Sequence, residues 1–301
     1  YKRQVDKTGT LTRNQPEVTG VVPADGFDRA QVLTFAAAVE QQSTHPLAAA
    51  IAAAGPEAPA ALDISEEAGH GIGGTVEGRR VLVGSPRWID AGPLKADVER
   101  MESEGQTCVL VTVDDTLAGA IGVRDELRPE VPEAVQTLRA NDVEVSMLTG
   151  DNTRTARALA KIAGIDDVRA ELRPEDKASI VAEFSSKTPT AMIGDGINDA
   201  PALAGATVGI AMGATGSDAA IESADVAFTG HDLRLIPKAL QHARRGSRII
   251  NQNIVLSLAI IIVLMPLAIS GVLGLAAVVL VHEVAEVIVI LNGLRAARTK
   301  R

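Results

Sequence analysis

From Ile254 to Val281 the chain carries no charged side chain. A bilayer-spanning helix needs only about 20 apolar residues, and one helix from Asn251 to Leu294 would overshoot that length. The stretch therefore reads as a hairpin of two spanning helices, about 251–270 and 274–294, turning near Ser270-Gly271. Arg244, Arg245 and Arg248 precede the first helix, and Arg295, Arg298, Lys300 and Arg301 follow the second. Basic flanks of this kind put both ends on the cytoplasmic side, as an even number of spans requires. The alternative is a hydrophobic hairpin buried in a soluble protein.

The rest of the 301 residues is polar enough for roughly two soluble domains. A net charge of -9 argues against a general nucleic-acid binder. The single cysteine, Cys108, excludes an internal disulfide framework and any paired-thiolate metal site. Aromatic residues are 2% of the chain, so no stacking platform for bases is evident. Tyr1-Lys2-Arg3-Gln4 is polar for the approach to a buried parallel strand, where apolar residues are expected. The start is therefore expected to be a truncation or a junction.

Two structural grammars alternate along the polar part. Asp28 to Ala54 reads as alanine-rich helix broken at His45-Pro46, and Gly55-Pro56-Glu57-Ala58-Pro59 as loop. Segments around Thr75-Val76 and Arg80 to Val83 read as strands joined at Glu77-Gly78, and Cys108 to Val113 and Leu117 to Val123 flank an Asp114-Asp115 turn. This block is a small α+β insertion with antiparallel strands. After Asp125 strands are followed by helices: Val143 to Leu148 by Thr153 to Ala163, and Thr190 to Ile193 by a helical start at Asn198 to Pro201. Val208 to Ala211 and Val226 to Phe228 read as further short strands. Doubly wound α/β sheets bind ligands beyond the C-terminal ends of their strands. Asp6, Thr149, Asp151, Asp195 and Asp199 all fall at such ends.

Asp6-Lys7-Thr8-Gly9-Thr10-Leu11-Thr12 sets a carboxylate at a strand end, ahead of a turn of small and hydroxyl-bearing residues. A carboxylate can attack a phosphoryl group and hold it as an acyl phosphate, and backbone N–H groups of the turn form a nest for its oxygens. Thr8 occupies the place where a carboxylic acid/base would activate water, so an aspartyl phosphate at Asp6 is expected to persist. The bland reading is a surface Asp in a hydroxyl-rich turn. Asp195 and Asp199, in Gly194-Asp195-Gly196-Ile197-Asn198-Asp199, offer oxygen ligands suited to Mg2+; alone they would be an acidic turn. Lys177 is placed to neutralise phosphoryl charge, against the alternative of an exposed lysine at a helix start. Gly69-His70-Gly71-Ile72-Gly73-Gly74 matches a dinucleotide-binding pattern in form, but strand-like residues follow it and not a helix. In the second apolar helix His282 and Glu286 share a face, with Glu283 beside them. Ionisable groups inside a membrane span are expensive and usually functional. Their donor set suits divalent zinc, cobalt, nickel or iron(II) better than copper(I). The bland reading there is a polar clamp between helices.

Together these residues resemble a heavy-metal-transporting (type IB) P-type ATPase over essentially the whole chain. Asp-Lys-Thr-Gly-Thr at 6–10, Thr-Gly-Asp at 149–151 and Gly-Asp-Gly-Ile-Asn-Asp at 194–199 follow that superfamily's order. Glu40, Ser43, His45 and Pro46 resemble the class's His-Pro nucleotide motif, and Gly71-Ile72-Gly73 its Gly-x-Gly partner. The resemblance implies a haloacid-dehalogenase-like doubly wound parallel sheet as the phosphorylation domain (1–20 and 117–250). It implies an inserted antiparallel-sheet nucleotide-binding domain (21–116), two transmembrane helices within 251–296 and a cytoplasmic tail at 297–301. Asp6 would be the phosphoryl acceptor, with Asp195 and the Thr8 carbonyl on Mg2+ and Asp199 supporting them. Lys7, Thr149, Gly150, Asp151 and Lys177 would complete the catalytic set. Glu40, His45, Pro46, Gly71 and Gly73 would hold ATP, and His282, Glu283 and Glu286 the transported cation.

His282-Glu283 is similar to the start of a His-Glu-Gly-Gly motif of cobalt-type pumps, from which Val284-Ala285-Glu286 departs. The family's Thr-Gly-Glu actuator motif and its thiol-bearing Pro motif are expected upstream of Tyr1, with further membrane helices. The implied whole is an integral plasma-membrane pump with cytoplasmic catalytic domains, and this piece alone is not expected to pump. The rival readings are a soluble haloacid-dehalogenase-type phosphatase and a membrane-anchored nucleotide-binding regulator.

Overall fold

The computed structural model describes residues 2–6 by their backbone and residues 10–43, 45, 47–55, 57–67, 70–194, 199–212, 222–230 and 232–297 in full. These divide into two compact units, residues 1–232 and 233–301. The first unit holds two six-stranded sheets.

One sheet is parallel, in the order β12-β11-β10-β1-β8-β9. Its strands are β1 (Lys2–Asp6), β8 (Glu144–Leu148), β9 (Asp167–Arg169), β10 (Thr190–Gly194), β11 (Val208–Met212) and β12 (Val226–Phe228). The polar start of the chain is thus a central strand, paired with β8 on one side and β10 on the other. Parallel ladders are made by backbone groups, so Lys2, Arg3 and Gln4 do not prevent pairing where neighbours already offer ladder partners. The helices that alternate with these strands follow local signals. In α5 (Thr153–Ala163) the Asn152 side chain accepts from the Thr155 N–H, and Gly164 ends the helix at φ 74°. In α6 (Pro174–Lys187) proline occupies the first turn and Asp176 accepts from the Arg173 N–H at 2.9 Å. Residues of α6, α7 (Ala200–Gly205), β8, β10 and β11 form one buried cluster including Leu148, Val181, Met192, Leu203 and Ala211.

The other sheet is antiparallel, in the order β2-β7-β6-β5-β4-β3. It comprises β2 (Thr12–Pro23), β3 (Leu62–Glu67), β4 (Gly71–Val76), β5 (Arg79–Gly84), β6 (Thr107–Val113) and β7 (Thr116–Leu127). Its tight hairpins are those expected: Glu77 and Gly78 have φ of 51° and 79°, and Asp114 and Asp115 have 51° and 62°. Positive φ at both central positions matches the turn twist to that of the strands. On one face lies α1 (Arg29–Glu40), opened by a capping box between Asp28 and Gln31, followed by α2 (Ala48–Ala54). Val32, Val39 and Ile51 are fully buried there against Val76, Val81 and Val113; each such side chain contributes about 1.5–3 kcal/mol. The opposite face carries α3 (Lys95–Ser103), whose Val98 and Met101 cover Cys108 and Leu110. Burial pushes the Cys108 thiol up to about 12, and its Sγ lies 3.8 Å from the Val98 carbonyl oxygen. A further helix, α4 (Val131–Arg139), packs its buried Val131, Val135 and Leu138 face by β8.

The antiparallel insertion meets the parallel sheet through α3 and α5. Arg154 pairs with Glu99 and Glu102, each at 3.1 Å, and the Thr155 hydroxyl donates to the Gln106 carbonyl at 2.7 Å.

The second unit is a helical hairpin. Helix α8 (Leu235–Ile269) continues without a break from its amphipathic start into the apolar run, so it begins well before residue 251. Gly271, at φ 74°, lies in the turn, and α9 (Leu275–Leu294) returns. Both are long and apolar enough to cross a membrane. Asn292 Nδ2 donates to Asn253 Oδ1 at 2.8 Å, and Asn253 Nδ2 to the Val289 carbonyl at 3.3 Å, tying the helices at one end.

Candidate active site

The C-terminal ends of three neighbouring parallel strands lie level. Asp6, the last residue of β1, is in register with Leu148 of β8, and Val5 with Ile193 of β10. Thr149 and Gly194 therefore flank the position of Asp6, where sequence reasoning gathered its acidic and hydroxyl groups. The Asp6 side chain, Lys7, Thr8, Pro46 and Asp195 lie outside the described residues.

Thr149, Gly150 and Asp151 form a loop pinned from both sides. The Thr149 N–H donates to the Arg169 carbonyl at 2.9 Å, its carbonyl accepts from the Leu172 N–H at 3.1 Å, and Asp151's carbonyl accepts from the Glu171 N–H at 2.8 Å. The Thr149 hydroxyl oxygen accepts from the Asp151 N–H at 3.1 Å. A Cβ on Gly150 would come within 3.2 Å of the Leu172 carbonyl oxygen, tighter than usual contact.

Lys177 is buried, which overturns the alternative of an exposed lysine at a helix start. Its Nζ meets Asp199 Oδ1 at 2.9 Å, with side-chain exposures of 11% and 4%. Gly194 makes room for this carboxylate: a Cβ there would stand 2.9 Å from Asp199 Oδ2. A buried carboxylate at the start of α7 is the hard oxygen chemistry that Mg2+ accepts. Arg128 is a neighbour that sequence reasoning missed. Its Nε donates to the carbonyls of Thr10 and Thr12, at 3.1 and 3.0 Å, fixing the backbone just after the Asp6 loop. No local pattern marks it, because the partners lie more than a hundred positions away.

On the insertion, Glu40 ends α1 and is buried. Desolvation, then the charge of Glu66, raise its carboxyl to about 7, with a Ser43 hydrogen bond acting the other way. Burial lowers the His45 imidazole below its ordinary range, against the pull of Glu66 and Asp151. Asp151 belongs to the parallel sheet's loop, so His45 and that loop lie within electrostatic reach. Glu66 of β3 is a second residue that sequence reasoning missed; it accepts a hydrogen bond from Ser43 Oγ at 3.1 Å. Its ladder partner is Ile72, between Gly71 and Gly73. A Cβ on Gly71 would lie 2.1 Å from the Val83 carbonyl oxygen and one on Gly73 2.4 Å from a Leu82 methyl. Gly71 therefore cannot carry a side chain without shifting backbone.

In the second unit His282 Nε2 and Glu286 Oε1 are 3.5 Å apart on α9, both well exposed. Glu283 is not gathered with them: among the described residues no group of three potential metal ligands exists.

A doubly wound parallel sheet with an aspartate ending its first strand, a buried Lys177–Asp199 pair and an antiparallel insertion between β1 and β8 defines a class. Residues 5–207 match the haloacid dehalogenase-like hydrolase family, and the chain belongs to it. Within that family the similarity is to cation pumps. The probable cation-transporting ATPase G of Mycobacterium tuberculosis (strain ATCC 25618 / H37Rv) is 58% identical over 98% of this chain and 38% of its own length. Copper-transporting ATPase 1 of Rhizobium meliloti (strain 1021) is 43% identical over 89% of this chain and 34% of its own. The crystal structure of a zinc-transporting PIB-type ATPase in its E2.Pi state superposes with a TM-score of 0.74 at 40% identity, covering 99% of this chain and 50% of that one. The chain thus spans well under two thirds of the length of these relatives.

Proposed function

We propose that the chain is the catalytic portion of an ATP-driven heavy-metal cation transporter working through an aspartyl phosphate. The observation that carries this is the level alignment of Asp6 with the Thr149 loop, together with the buried Lys177–Asp199 pair and with His45 of the insertion within electrostatic reach of Asp151. In this reading residues 1–20 and 117–250 serve phosphorylation and 21–116 bind nucleotide, the long strands β2 and β7 connecting them. Residues 251–296 span the membrane, with the catalytic parts cytoplasmic.

Glu40, His45, Pro46, Gly71 and Gly73 hold the adenine nucleotide, and Asp6 attacks its γ-phosphorus in line, displacing ADP. Thr149, Gly150 and the Lys177 ammonium contact the transferred phosphoryl oxygens, while Asp199 orients the lysine. Asp6, the Thr8 carbonyl and Asp195, backed by Asp199, would hold Mg2+, which offsets phosphate charge when bound. With no carboxylate at position 8, the acyl phosphate lasts long enough to drive a conformational change elsewhere. His282 and Glu286, with donors from other helices, take a divalent cation; the imidazole-carboxylate set favours zinc, cobalt, cadmium, nickel or iron(II).

Incubating the full-length protein with labelled ATP and a transported metal is expected to give an acid-stable, hydroxylamine-sensitive phosphoenzyme that Asp6→Asn abolishes. Label persisting in that variant would overturn the assignment. Comparing zinc with copper(I) as activator, in His282→Ala and Glu286→Ala, tests the metal. Both variants should lose metal stimulation while keeping nucleotide binding.

A further inference from the structure

We propose that Glu66 is a positioning residue of the nucleotide site, fixing through Ser43 the turn that presents His45. The inference rests on the reading that Glu40 and His45 hold the nucleotide, and adds a residue that none of the motifs contains. Ser43 Oγ donates to Glu66 Oε1 at 3.1 Å, and the same oxygen accepts the His45 backbone N–H at 3.0 Å. A hydroxyl has one proton and two lone pairs. Ser43 also serves Glu40, so Glu66 is one of two carboxylates that draw the hydroxyl proton and leave the lone pairs for the His45 N–H. Further along, the Leu47 N–H donates to His45 Nδ1 at 3.3 Å. An imidazole whose Nδ1 accepts carries its hydrogen on Nε2 when neutral, and desolvation favours the neutral ring. The turn therefore offers an Nε2–H donor.

The placement of Glu66 fits the same ligand. On β3 it stands opposite Ile72, while its neighbours Ser65 and Glu67 stand opposite Gly73 and Gly71. The groups acting here are Glu40 from α1 and His45 from the turn, both of which feel Glu66, and Asp151 from the parallel sheet's loop, which acts on His45. The charge of Glu66 disfavours a triphosphate while Glu40 is partly neutral near pH 7, so this corner suits the uncharged base and sugar of a nucleotide, with the phosphates directed away toward Asp6. Glu66 is itself exposed. An exposed charged contact contributes little to folding, so its removal should be felt in binding before stability.

The test is equilibrium binding of a non-hydrolysable ATP analogue to the full-length protein across the neutral pH range, with melting temperature recorded alongside. Glu66→Gln and Ser43→Ala are each expected to weaken binding about three- to tenfold. Only Glu66→Gln should also move the pH midpoint of binding downward, since it alone removes the charge that raises Glu40 and His45. Glu77→Gln, an exposed carboxylate on the β4–β5 turn, should change neither. Wild-type affinity and pH profile in both Glu66→Gln and Ser43→Ala would overturn the proposal. Should Glu66→Gln fail to fold, Ser43→Ala decides: weakened affinity supports the proposal and retained affinity overturns it. His45→Ala separates the two levels, because full binding in that variant would sink the nucleotide-site reading itself.

Discussion

At the scale of single residues, the site is built from groups taken out of water and then paired. Asp199 and Lys177 compensate each other at 2.9 Å, with little of either exposed. Removing one partner of a buried pair leaves an uncompensated charge and costs about 3–5 kcal/mol, whereas replacing both with apolar residues is often near neutral. Asp199→Leu should therefore lower the melting temperature sharply and Lys177→Met/Asp199→Leu should recover much of it without recovering activity. Glu40 makes a pH prediction. Its folded carboxyl, near 7, binds a proton more tightly than the unfolded carboxyl near the ordinary 4.5. Its contribution is complete below the ordinary value and is lost as pH rises toward about 7, with no further change above. Glu40→Gln should match wild type in acid and gain on it through that window, by up to about 3 kcal/mol, seen as a widening gap in melting temperature. The motif aspartates were legible in the sequence because each belongs to a short local pattern that follows or ends a strand-like run. Glu66 and Arg128 were not, since their partners Ser43, Thr10 and Thr12 come near only through ladder pairing and the return of β7 beside β2.

At the scale of elements, local grammar carried well where the signal was local. The helix Thr153–Ala163 and both tight hairpins follow from periodicity and turn residues. The central place of β1 did not, because Lys2-Arg3-Gln4 lacks the apolar run of a buried parallel strand and its position is set by β8 and β10. The first apolar helix was also longer than its composition announced: Pro237 falls in the first turn, where it is tolerated, and Gly246 alone weakens a helix without ending it, so the earlier segment fuses with the apolar one. The hairpin it forms with α9 is tied by Asn253 and Asn292. Amide pairs between apolar helices contribute about 0.6–2 kcal/mol. Asn253→Leu should therefore loosen the helix pair, measurable as reduced cross-linking between cysteines placed on α8 and α9, while Gln252→Leu, whose amide stands farther from Asn292 at 3.4 Å, should do less.

At the scale of the whole molecule, the antiparallel insertion meets the parallel sheet through α3 and α5, and part of that contact is ionic. Arg154, on the helix that follows the Thr149 loop, reaches Glu99 and Glu102 of α3. Arg154 is more than half exposed, so salt should screen the link. Arg154→Ala, like raised ionic strength, is expected to broaden the distance distribution between fluorophores on the insertion and on the parallel sheet. An unchanged distribution would mean that the Thr155–Gln106 hydrogen bond and the apolar contacts beneath suffice. The same helix α3 that carries these carboxylates also roofs over Cys108, whose thiol is pushed to about 12. A maleimide added to the native protein should therefore pass it by. Surface cysteines can be introduced one at a time with the natural thiol left in place, and slow alkylation of Cys108 becomes a clock for how often α3 lifts from its sheet.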